Sequence, residues 1–566
     1  MDPGTALAVV SLSFEVFAGC IKGFVMISDA RNMDKDAAVE RTKLILQEYR
    51  LIEWARAINL DSPPSQPSSP LPSRHPAALI LLQLEQLLSS TETLRKRYKL
   101  ELVAPPDGSD DLVLSGAADE SASSVLSSIV STETRRGILE KSSKMGSANR
   151  MPKRLWWAAV DKKKLAQLIQ EVTGLVDGLW SLLDISHRAQ TSHAVNETLR
   201  LTIQASHDIK GLRDLQASLY DAATASGMRN GLAASAGLRA QHATLSLRTR
   251  GGVPSVPPRA PAVLDPARLS RIRMLSSTIG SALYEGSPVL IEEKHVVTRM
   301  KAKLRSRVEG LADLLSQPPT PTFQTFPCVG YTEEQAGFRL VFRLPSAGGQ
   351  PQPLHNVLSR SNGSLPDVGT RLRLAAQVCQ TLLSFHTAGW LHKDVRSENI
   401  ILVSDGSTAV DGGSTAGLGQ PHLCGFSFAR QDSPTEISEQ PTADLSRDIY
   451  RHAMALGEPS EAFERHMDAH SLGCVLIEIA EWTPLKKIVR KRLEPVAGAG
   501  VTLSDVAALS GWLHTRYISE GVAGFRLGAA FTRMLSLCIP APGTDVNPPD
   551  LSDFYSALEG MLDGEI

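Results

Sequence analysis

The sequence lacks three features that would assign the chain to a special class of protein. Its six cysteines are scattered without paired spacing, so they predict reduced thiols and neither a disulfide framework nor a zinc site. The 59 basic and 60 acidic residues nearly cancel, so no overall charge favours a nucleic-acid partner. No basic residue precedes Lys22, so the positive start of a signal peptide is missing. We therefore expect a cytoplasmic protein, with recruitment to the plasma membrane left open, and no binding of nucleic acid.

A long uninterrupted hydrophobic run is also missing. The apolar stretch over residues 7–27 contains Glu15 and Lys22, which weakens a constitutive transmembrane interpretation. We interpret it as the buried first helix of a bundle, with conditional membrane insertion as an open alternative. Since 566 residues exceed what one core usually fills, we expect two domains and a linker.

Helical patterning dominates residues 1–221, but two polar stretches interrupt it. Residues 61–76 are rich in Pro and Ser, and residues 104–154 begin acidic and Ser/Gly-rich and then turn basic. Such composition cannot bury enough apolar surface to fold alone, so we predict disordered loops there. Residues 222–267 are rich in Ala, Gly, Ser, Arg and Pro, and we predict a flexible interdomain linker.

A short pattern near the N-terminus suggests a family. Arg50, Leu51 and Trp54 form an Arg-Leu-x-x-Trp pattern that follows a glycine- and alanine-containing apolar helix. This pattern resembles the fungal HeLo (prion-inhibition and propagation) domain. The resemblance implies an all-α helical bundle over residues 1–221 whose N-terminal helices associate with membranes and permeabilise them in regulated cell death. Membrane lipids, and further copies of the chain, are the partners that it implies for the bundle.

A basic run extends from Arg135 to Lys164 beside Trp156 and Trp157. Such a run could bind an anionic membrane surface. The alternative, which we favour, is a solvated helix face with the tryptophans packed inward. We expect the segment from Leu155 to Leu183 to be an amphipathic helix.

The stretch over residues 389–403 reads as a strand, a polar loop and a second strand. The loop carries a carboxylate at Asp394, a cation at Arg396 and an amide at Asn399. This spacing suits phosphoryl transfer, in which an aspartate accepts the hydroxyl proton, a cation offsets phosphate charge and an amide oxygen holds a metal. An alternative is that Asp394 and Asn399 only stabilise the loop through backbone hydrogen bonds.

His392-Lys393-Asp394, with Arg396 and Asn399, resembles the catalytic loop of protein kinases. The resemblance implies a two-lobed α+β fold over residues 268–566, with a small lobe at about 268–345 and a large lobe at about 346–566. It assigns catalytic roles to Asp394, Arg396 and Asn399, and a metal-ligand role to Asn399. It also implies structural roles for His392 and Asp468, with Asp468 bracing the backbone of the catalytic loop.

Other parts of the small lobe agree with the kinase pattern less well. We predict strands at 289–294, 326–331 and 338–342, and a helix that begins after Asp367. Strict strand spacing puts Glu292 where kinases have lysine. Lys294 could take the role of that lysine only if the strand is shifted by two residues, which keeps its side chain on the same face. We assign Lys294 to the cofactor site, with Glu309 as its ion-pair partner; a simple surface role for Glu309 is the alternative.

Two further departures concern the nucleotide itself. Phe426 aligns with the phenylalanine of the kinase Asp-Phe-Gly motif, and we assign it to the cofactor site, but the alignment puts Gly425 where the metal-binding aspartate belongs. The nearest match to a glycine-rich loop, residues 280–286, does not have G-x-G-x-x-G spacing. Binding of ATP and Mg²⁺, and weak or absent binding, therefore both remain open.

Three aspartates downstream could supply a displaced metal ligand, although ordinary loop roles are the simpler interpretation: Asp432, Asp444 and Asp448. The favoured hypothesis is a pseudokinase that binds protein partners and regulates the helical bundle. The alternatives are an active serine/threonine kinase that uses ATP and a non-enzymatic adaptor that only binds proteins.

Overall fold

A computed structural model describes most of the chain. The described residues are 3–28, 38–61, 76–103, 125, 129–144, 156–159, 162–221, 232–233, 235–241, 243–244, 262–316, 323–345, 350–360, 365–403, 418–433, 444–457, 462–494, 501–543 and 551–563. The chain divides into two compact units, residues 1–240 and residues 241–566. The cores of the predicted loops and linker, at 62–75, 104–124, 145–155, 222–231 and 245–261, lie outside the described residues.

The first unit is mainly helical, as predicted. Its helices are α1 Pro3–Ser28, α2 Ala38–Ala57, α3 Pro76–Ser89, α4 Thr91–Lys96, α5 Thr132–Lys144, α6 Lys162–Ser181, α7 Ile185–Ala205 and α8 Ile209–Asp221. Two short strands, β1 Leu100–Val103 and β2 Trp156–Ala159, pair antiparallel.

Helix α1 contributes to the core of this unit. Its residues from Phe14 to Ile27 are largely buried, with Phe17, Ile21 and Phe24 fully so. The prediction of a buried first helix is therefore confirmed for this part of α1. In the part of the chain that the structure describes, no helix is long and apolar enough to cross a membrane.

The Arg-Leu-x-x-Trp pattern joins α2 to α6. Leu51 and Trp54 are buried, while the Arg50 guanidinium forms an ion pair with Asp177 at 2.7 Å. The same guanidinium lies 5.2 Å from the centre of the Trp180 ring, whose Nε1 donates to the Arg50 carbonyl at 3.1 Å. One residue thus uses its side chain and its backbone to hold the two helices together.

Two predictions for the first unit are wrong in part. Helix α5 lies inside the predicted loop at 104–154, because Ser131 caps it by accepting from Thr134 N at 3.1 Å and Ile138 packs into the core. Trp156–Ala159 forms a strand instead of the start of a helix, in keeping with the preference of tryptophan for strands. The average composition of a long segment concealed these local signals.

Helix α5 also changes the interpretation of the basic run. The Arg135 guanidinium is buried and donates to both carboxylate oxygens of Glu48, at 2.8 and 2.6 Å. Burying two charges is favourable only with such a bidentate, hydrogen-bonded geometry. Arg135 is therefore a core residue and cannot contribute to a membrane-facing surface.

The second unit has the predicted two-lobed α+β architecture. Its small lobe is a six-stranded sheet in the order β3-β7-β8-β6-β5-β4, with the helix α9 Thr298–Leu314 packed against it. The strands are β3 Ala262–Val263, β4 Leu269–Met274, β5 Ile279–Tyr284, β6 Ser287–His295, β7 Cys328–Glu334 and β8 Gly337–Arg343. The predicted strands are confirmed, and β7 and β8 form the expected antiparallel hairpin.

Both ends of the predicted linker belong to folded structure. Buried Leu232, Ala233 and Ala236 join the core of the first unit, because an alanine-rich stretch can pack closely. At the other end, Ala262 pairs in parallel with Gly330, where a side chain would overlap the Ala262 carbonyl. The flexible-linker prediction is therefore wrong for these described residues.

The large lobe is mainly helical and contains two short sheets. Its helices are α10 Leu354–Arg360, α11 Val368–Thr387, α12 Leu445–Asp448, α13 Arg465–Glu481, α14 Leu485–Leu493, α15 Leu503–Ala507, α16 Leu509–His514, α17 Val522–Cys538 and α18 Leu551–Asp563. Its strands are β9 Gln352–Pro353, β10 Trp390–Leu391, β11 Ile400–Val403, β12 Gln420–Leu423 and β13 Arg430–Gln431. One sheet consists of the strands β10 and β13, and the other has the order β12-β11-β9. As predicted, Asp367 caps α11 by accepting from Thr370 N at 2.8 Å.

Candidate functional site

The polar loop that the sequence singles out lies between two short strands. Strand β10 pairs with β13, strand β11 pairs with β12, and a 3-10 turn at Ser397–Asn399 leads into β11. Residues from Trp390 to Val403 are buried except Glu398, which is partly exposed. The loop is therefore held rigidly inside the large lobe.

Asp468, on α13, holds the backbone at the start of this loop. Its two carboxylate oxygens accept from the backbone N–H groups of His392 and Lys393, each at 2.7 Å. Lys393 is in the left-handed region, at φ +67°, and these bonds offset the cost of that conformation. Although burial raises the pKa of Asp468, its hydrogen bonds and the neighbouring histidines, His386 first among them, bring it below the usual range.

His392 packs between the loop and the following strand. Its Nε2 lies 3.0 Å from the Cys424 carbonyl, and its ring centre lies 5.0 Å from that of Phe426. Burial lowers the pKa of His392, so the neutral ring donates this hydrogen bond at neutral pH. His392 thus joins the loop to the residue after β12, while Asp468 holds the loop backbone.

The structure brings Asp394, Arg396 and Asn399 together. Arg396 Nε lies 3.1 Å from an Asp394 carboxylate oxygen, and the guanidinium also contacts Glu398. Asn399 Nδ2 donates to the backbone carbonyl and a carboxylate oxygen of Asp394, at 2.7 and 3.0 Å. The carbonyl oxygen of the Asn399 side chain is buried and has no hydrogen-bond partner among the described residues.

Lys294 and Glu309 have different partners. The Lys294 ammonium is buried and donates to the Ser427 carbonyl. Glu309 accepts from the Tyr331 hydroxyl at 3.0 Å, and burial together with this carboxylate raises the pKa of Tyr331 to about 12. The expected ion pair between the two is replaced by these contacts.

Glu292 is the residue at this site whose role the sequence did not reveal. Its side chain is 1% exposed, and its carboxylate accepts from Gly425 N and from Ser427 Oγ, both at 3.0 Å. Burial raises the pKa of Glu292 to about 7, against the opposing effect of these bonds, and the charge of Asp394 raises it further. Strict strand spacing predicted that Glu292 stands at the position of the kinase lysine, but it did not predict the contacts with Gly425 and Ser427.

Gly425 leaves no room for the missing aspartate. Its φ of +87° favours glycine, and a Cβ built on it would overlap the side chain of Asn399. The Asn399 amide occupies this space because it is directed toward Asp394. The position of the Asn399 side chain therefore requires glycine at residue 425.

Phe426 is a core residue in this structure. Its side chain is 1% exposed, and its ring packs against Phe342, Phe385 and His392. The ring therefore packs in the core beneath the loop, and the assignment of Phe426 to the cofactor site stays a prediction.

The turn that corresponds to the glycine-rich loop of kinases lies outside residues 280–286, the stretch that the sequence offered as its nearest match. Gly280 lies within β5 and Gly286 in the turn to β6, so residues 280–286 do not form the loop at the start of the lobe. That loop is the β4–β5 turn at residues 275–278, where Ser276 Oγ accepts from Ile279 N at 3.2 Å. The turn has side-chain hydroxyls where a glycine-rich loop would expose backbone amides.

The three downstream aspartates have other partners. Asp432 pairs with Arg465 at 2.8 Å, and Asp448 pairs with Arg451 at 2.5 Å. Asp444 caps α12 by accepting from Ser446 N at 2.9 Å. These contacts favour the ordinary loop roles over a displaced metal ligand. Among the described residues, no group of three or more His, Cys, Asp or Glu side chains could hold a metal ion.

Two comparisons relate the chain to known proteins. The family model described as HeLo: Prion-inhibition and propagation matches residues 4–215. The serine/threonine-protein kinase AfsK of Streptomyces griseus is 33% identical over 73 residues, which are 13% of this chain and 9% of that kinase. The chain thus covers less than a tenth of this curated relative, and the match supports a kinase-like part only loosely. Residues 4–215 are thus similar to the HeLo family.

Proposed function

We propose that this protein is a signalling regulator in which a pseudokinase unit controls a membrane-active HeLo domain in fungal regulated cell death. The family match at residues 4–215 supports the cell-death part of the proposal. The contacts of Glu292 with Gly425 and Ser427 carry the pseudokinase part. Both units remain in the cytoplasm until a protein partner binds the kinase-like unit and the bundle reaches the plasma membrane.

The side chains of the cleft do not suit Mg²⁺-ATP. A kinase uses an aspartate to hold the metal and a strand lysine to contact the phosphates. Here Gly425 has no carboxylate, Glu292 stands where strict strand spacing would put the lysine, and Lys294 donates to a protein carbonyl. The described polar groups of the cleft are paired mainly with one another.

The support for membrane action is the family match, and not a membrane-spanning helix. Helix α1 is largely buried from Phe14 to Ile27, so its apolar face becomes available to lipid only if the bundle opens. Opening would also have to separate α1 from α3, which pack closely. In the proposed mechanism the closed bundle is therefore inactive, and the pseudokinase unit holds the bundle closed.

Leakage of a dye from anionic liposomes tests this proposal. We expect residues 1–240, which form one compact unit, to release dye, and the full chain to release far less at equal concentration. Adding residues 241–566 as a separate fragment should restore part of the inhibition. A fragment of residues 1–240 that is folded and leaves the liposomes intact would contradict the membrane-active role.

An active serine/threonine kinase is the second candidate, and the catalytic-loop geometry favours it. Asp394 lies beside Arg396 and Asn399, and Asp468 holds the loop backbone, as phosphoryl transfer requires. In this case Asp394 would accept the substrate proton, Asn399 would hold a metal ion that offsets phosphate charge, and Lys294 would have to leave Ser427 to reach phosphate.

A phosphotransfer assay with Mg²⁺-ATP separates the two candidates. We expect the wild-type chain to transfer no more phosphate to a generic acceptor protein than the Asp394→Asn variant does. Transfer by the wild-type chain, abolished in the Asp394→Asn variant, would replace the pseudokinase with an active kinase. Equal background in both variants agrees with a pseudokinase.

A further inference from the structure

A pocket of about 180 Å³ lies between α12 and α14 of the large lobe. Five apolar side chains line it: Leu445, Ile449, Val489, Leu493 and Val501. A cavity of about 150 Å³ with apolar walls can hold a benzene ring. The pocket between α12 and α14 is therefore large enough for one aromatic side chain.

The polar residues that line this pocket leave its rim positively charged. They are Ser446, Lys486, Arg490 and Glu494. Arg490 and Glu494 approach each other to 3.8 Å and offset one another, whereas exposed Lys486 forms no ion pair with any described residue. Three more cations lie on the same helix: Lys487, Lys491 and Arg492. A carboxylate beside the pocket would therefore be attracted to its rim.

Phe525, near the start of α17, has a side chain that is 87% exposed. Single exposed apolar residues are common, so the exposure alone says little. Its setting is more specific, because Gly521 precedes the helix at φ +76° and Gly528 interrupts it at φ +85°. A π-helical turn at Thr515–Ser519 comes directly before this segment, and such turns are frequent at functional sites. A short stretch of helix between two glycines thus presents the ring to solvent.

A carboxylate lies on the same side of this short helical stretch. Gly521 is the N-cap of α17, so Glu520 precedes the cap and Phe525 is the fourth residue of the helix. Side chains at these two positions are neighbours across the first helical turn. Glu520 is exposed and forms no ion pair with any described residue, while the adjacent Arg526 is paired with Glu481 at 3.1 Å. The result is an aromatic ring beside an acid, which complements an apolar pocket with a basic rim.

We propose that Phe525 of one copy of this chain inserts into the pocket between α12 and α14 of a second copy, where Glu520 pairs with Lys486. One ring and one ion pair form a small contact, so the association is weak and depends on concentration. The proposal does not rest on the proposed function, because it requires neither membrane action nor a nucleotide. Failure of one leaves the other standing.

Sedimentation equilibrium of the full chain over a range of concentrations tests the proposal. We expect the mean mass to rise with concentration, and the rise to be smaller at higher salt. Phe525→Ser should weaken the association at least tenfold, because it removes the apolar group that the pocket buries. Val297→Ser is the matched control, because Val297 is 65% exposed and lies in the small lobe outside the pocket. The control should leave the association unchanged.

A pair of charge substitutions identifies the two surfaces. Lys486→Glu and Glu520→Lys should each weaken the association, because each places like charges opposite one another. The double variant restores the ion pair with reversed signs, so it should recover most of the loss. Both residues are exposed, so the variants should fold, and a melting temperature equal to that of the wild type verifies this.

The proposal is overturned if the full chain shows no association with a dissociation constant tighter than about 1 mM. Association of Phe525→Ser that equals that of Val297→Ser would overturn it as well, since the copies would then meet through another surface such as the first unit. A double charge variant that associates no better than either single variant would show that Glu520 and Lys486 do not face each other.

Discussion

At the scale of single residues, the contacts of Glu292 determine which polar groups between the two lobes are available to a ligand. Its carboxylate bonds to Gly425 N and Ser427 Oγ, while Asn399 bonds to Asp394. Each of these side chains therefore has a partner within the protein. A nucleotide would have to break these bonds before it could form its own, which adds a desolvation cost to the missing carboxylate.

The raised pKa of Glu292 gives a pH-dependent prediction. Its pKa is raised from 4.5 to about 7 in the folded protein, so between these values the folded state binds more protons than the unfolded state. Raising the pH from 4.5 to 7 should therefore destabilise the wild type by up to ~1.4 kcal/mol per pH unit relative to Glu292→Gln, which cannot titrate. Above pH 7 the difference should become constant.

Urea denaturation of both proteins at several pH values measures this difference. Histidines such as His452 and His470, whose pKa values burial lowers to about 4, titrate in both proteins and cancel in the comparison. Parallel stability curves for wild type and variant would show that Glu292 does not take up a proton in this range.

The ion pair of Arg135 with Glu48 gives a second prediction at this scale. Arg135→Met removes the guanidinium that makes a bidentate pair with the buried Glu48 carboxylate, so the free energy of unfolding should fall by about 3–5 kcal/mol. Arg136→Met, one residue further and exposed, should change it by less than about 0.5 kcal/mol.

Chemical denaturation of the full chain, followed on the transition of the first unit, provides the measurement. Replacing both partners, as Glu48→Leu with Arg135→Met, should recover most of the loss because no unpaired charge remains. Equal stability of Arg135→Met and Arg136→Met would mean that the pair contributes nothing.

At the scale of elements, the sequence predicted what strong local signals encode. The capped helix after Asp367, the hairpin of β7 and β8 and the helix around Asp468 all have clear periodicity or caps, and all are present. Helix α5 was missed because its cap and its single apolar anchor lie in a polar stretch. The pairing of Ala262 with Gly330 was missed because it joins residues that are distant in sequence.

Prediction of the site was incomplete for a related reason. The sequence located Asp394, Arg396, Asn399 and Asp468 by spacing, and the structure brings them together. It could not reveal that Glu292 contacts Gly425, because such contacts depend on how a strand of one lobe faces the other lobe. Burial of Phe426 depends on the same three-dimensional packing.

Close packing of α1 on α3 yields a prediction with an internal control. A Cβ on Gly23 would lie 2.6 Å from Leu88 Cβ, so Gly23→Ala should force the helices apart and cost about 1–3 kcal/mol. A Cβ on Gly174, on α6, would meet nothing within 4 Å. Gly174→Ala should therefore stabilise the unit by about 0.5–1 kcal/mol through helix propensity.

Thermal melting of the two variants tests the opposite signs. A lower melting temperature for Gly23→Ala and a higher one for Gly174→Ala are expected. If both substitutions raise the melting temperature, α1 and α3 are not as closely packed as described. If the α1–α3 contact restrains the bundle, Gly23→Ala should also increase liposome leakage by the full chain.

At the scale of the whole molecule, the chain combines a helical unit, whose residues 4–215 match the HeLo family model, with a two-lobed α+β unit. The proposed function needs the second unit as a binding module and not as an enzyme. Its cleft contacts then stabilise one conformation of the unit, and a partner that prefers another conformation would shift the population. The central claim is that Mg²⁺-ATP is not such a partner.

The most direct test is the melting temperature of residues 241–566 with ATP, measured once with Mg²⁺ and once with EDTA. We predict that adding Mg²⁺ produces no stabilisation beyond that seen with ATP in EDTA, because Gly425 provides no metal ligand and Glu292 is bonded to the protein. A stabilising shift that requires Mg²⁺ would contradict the pseudokinase assignment, since it would show that a metal-nucleotide site is formed despite these contacts.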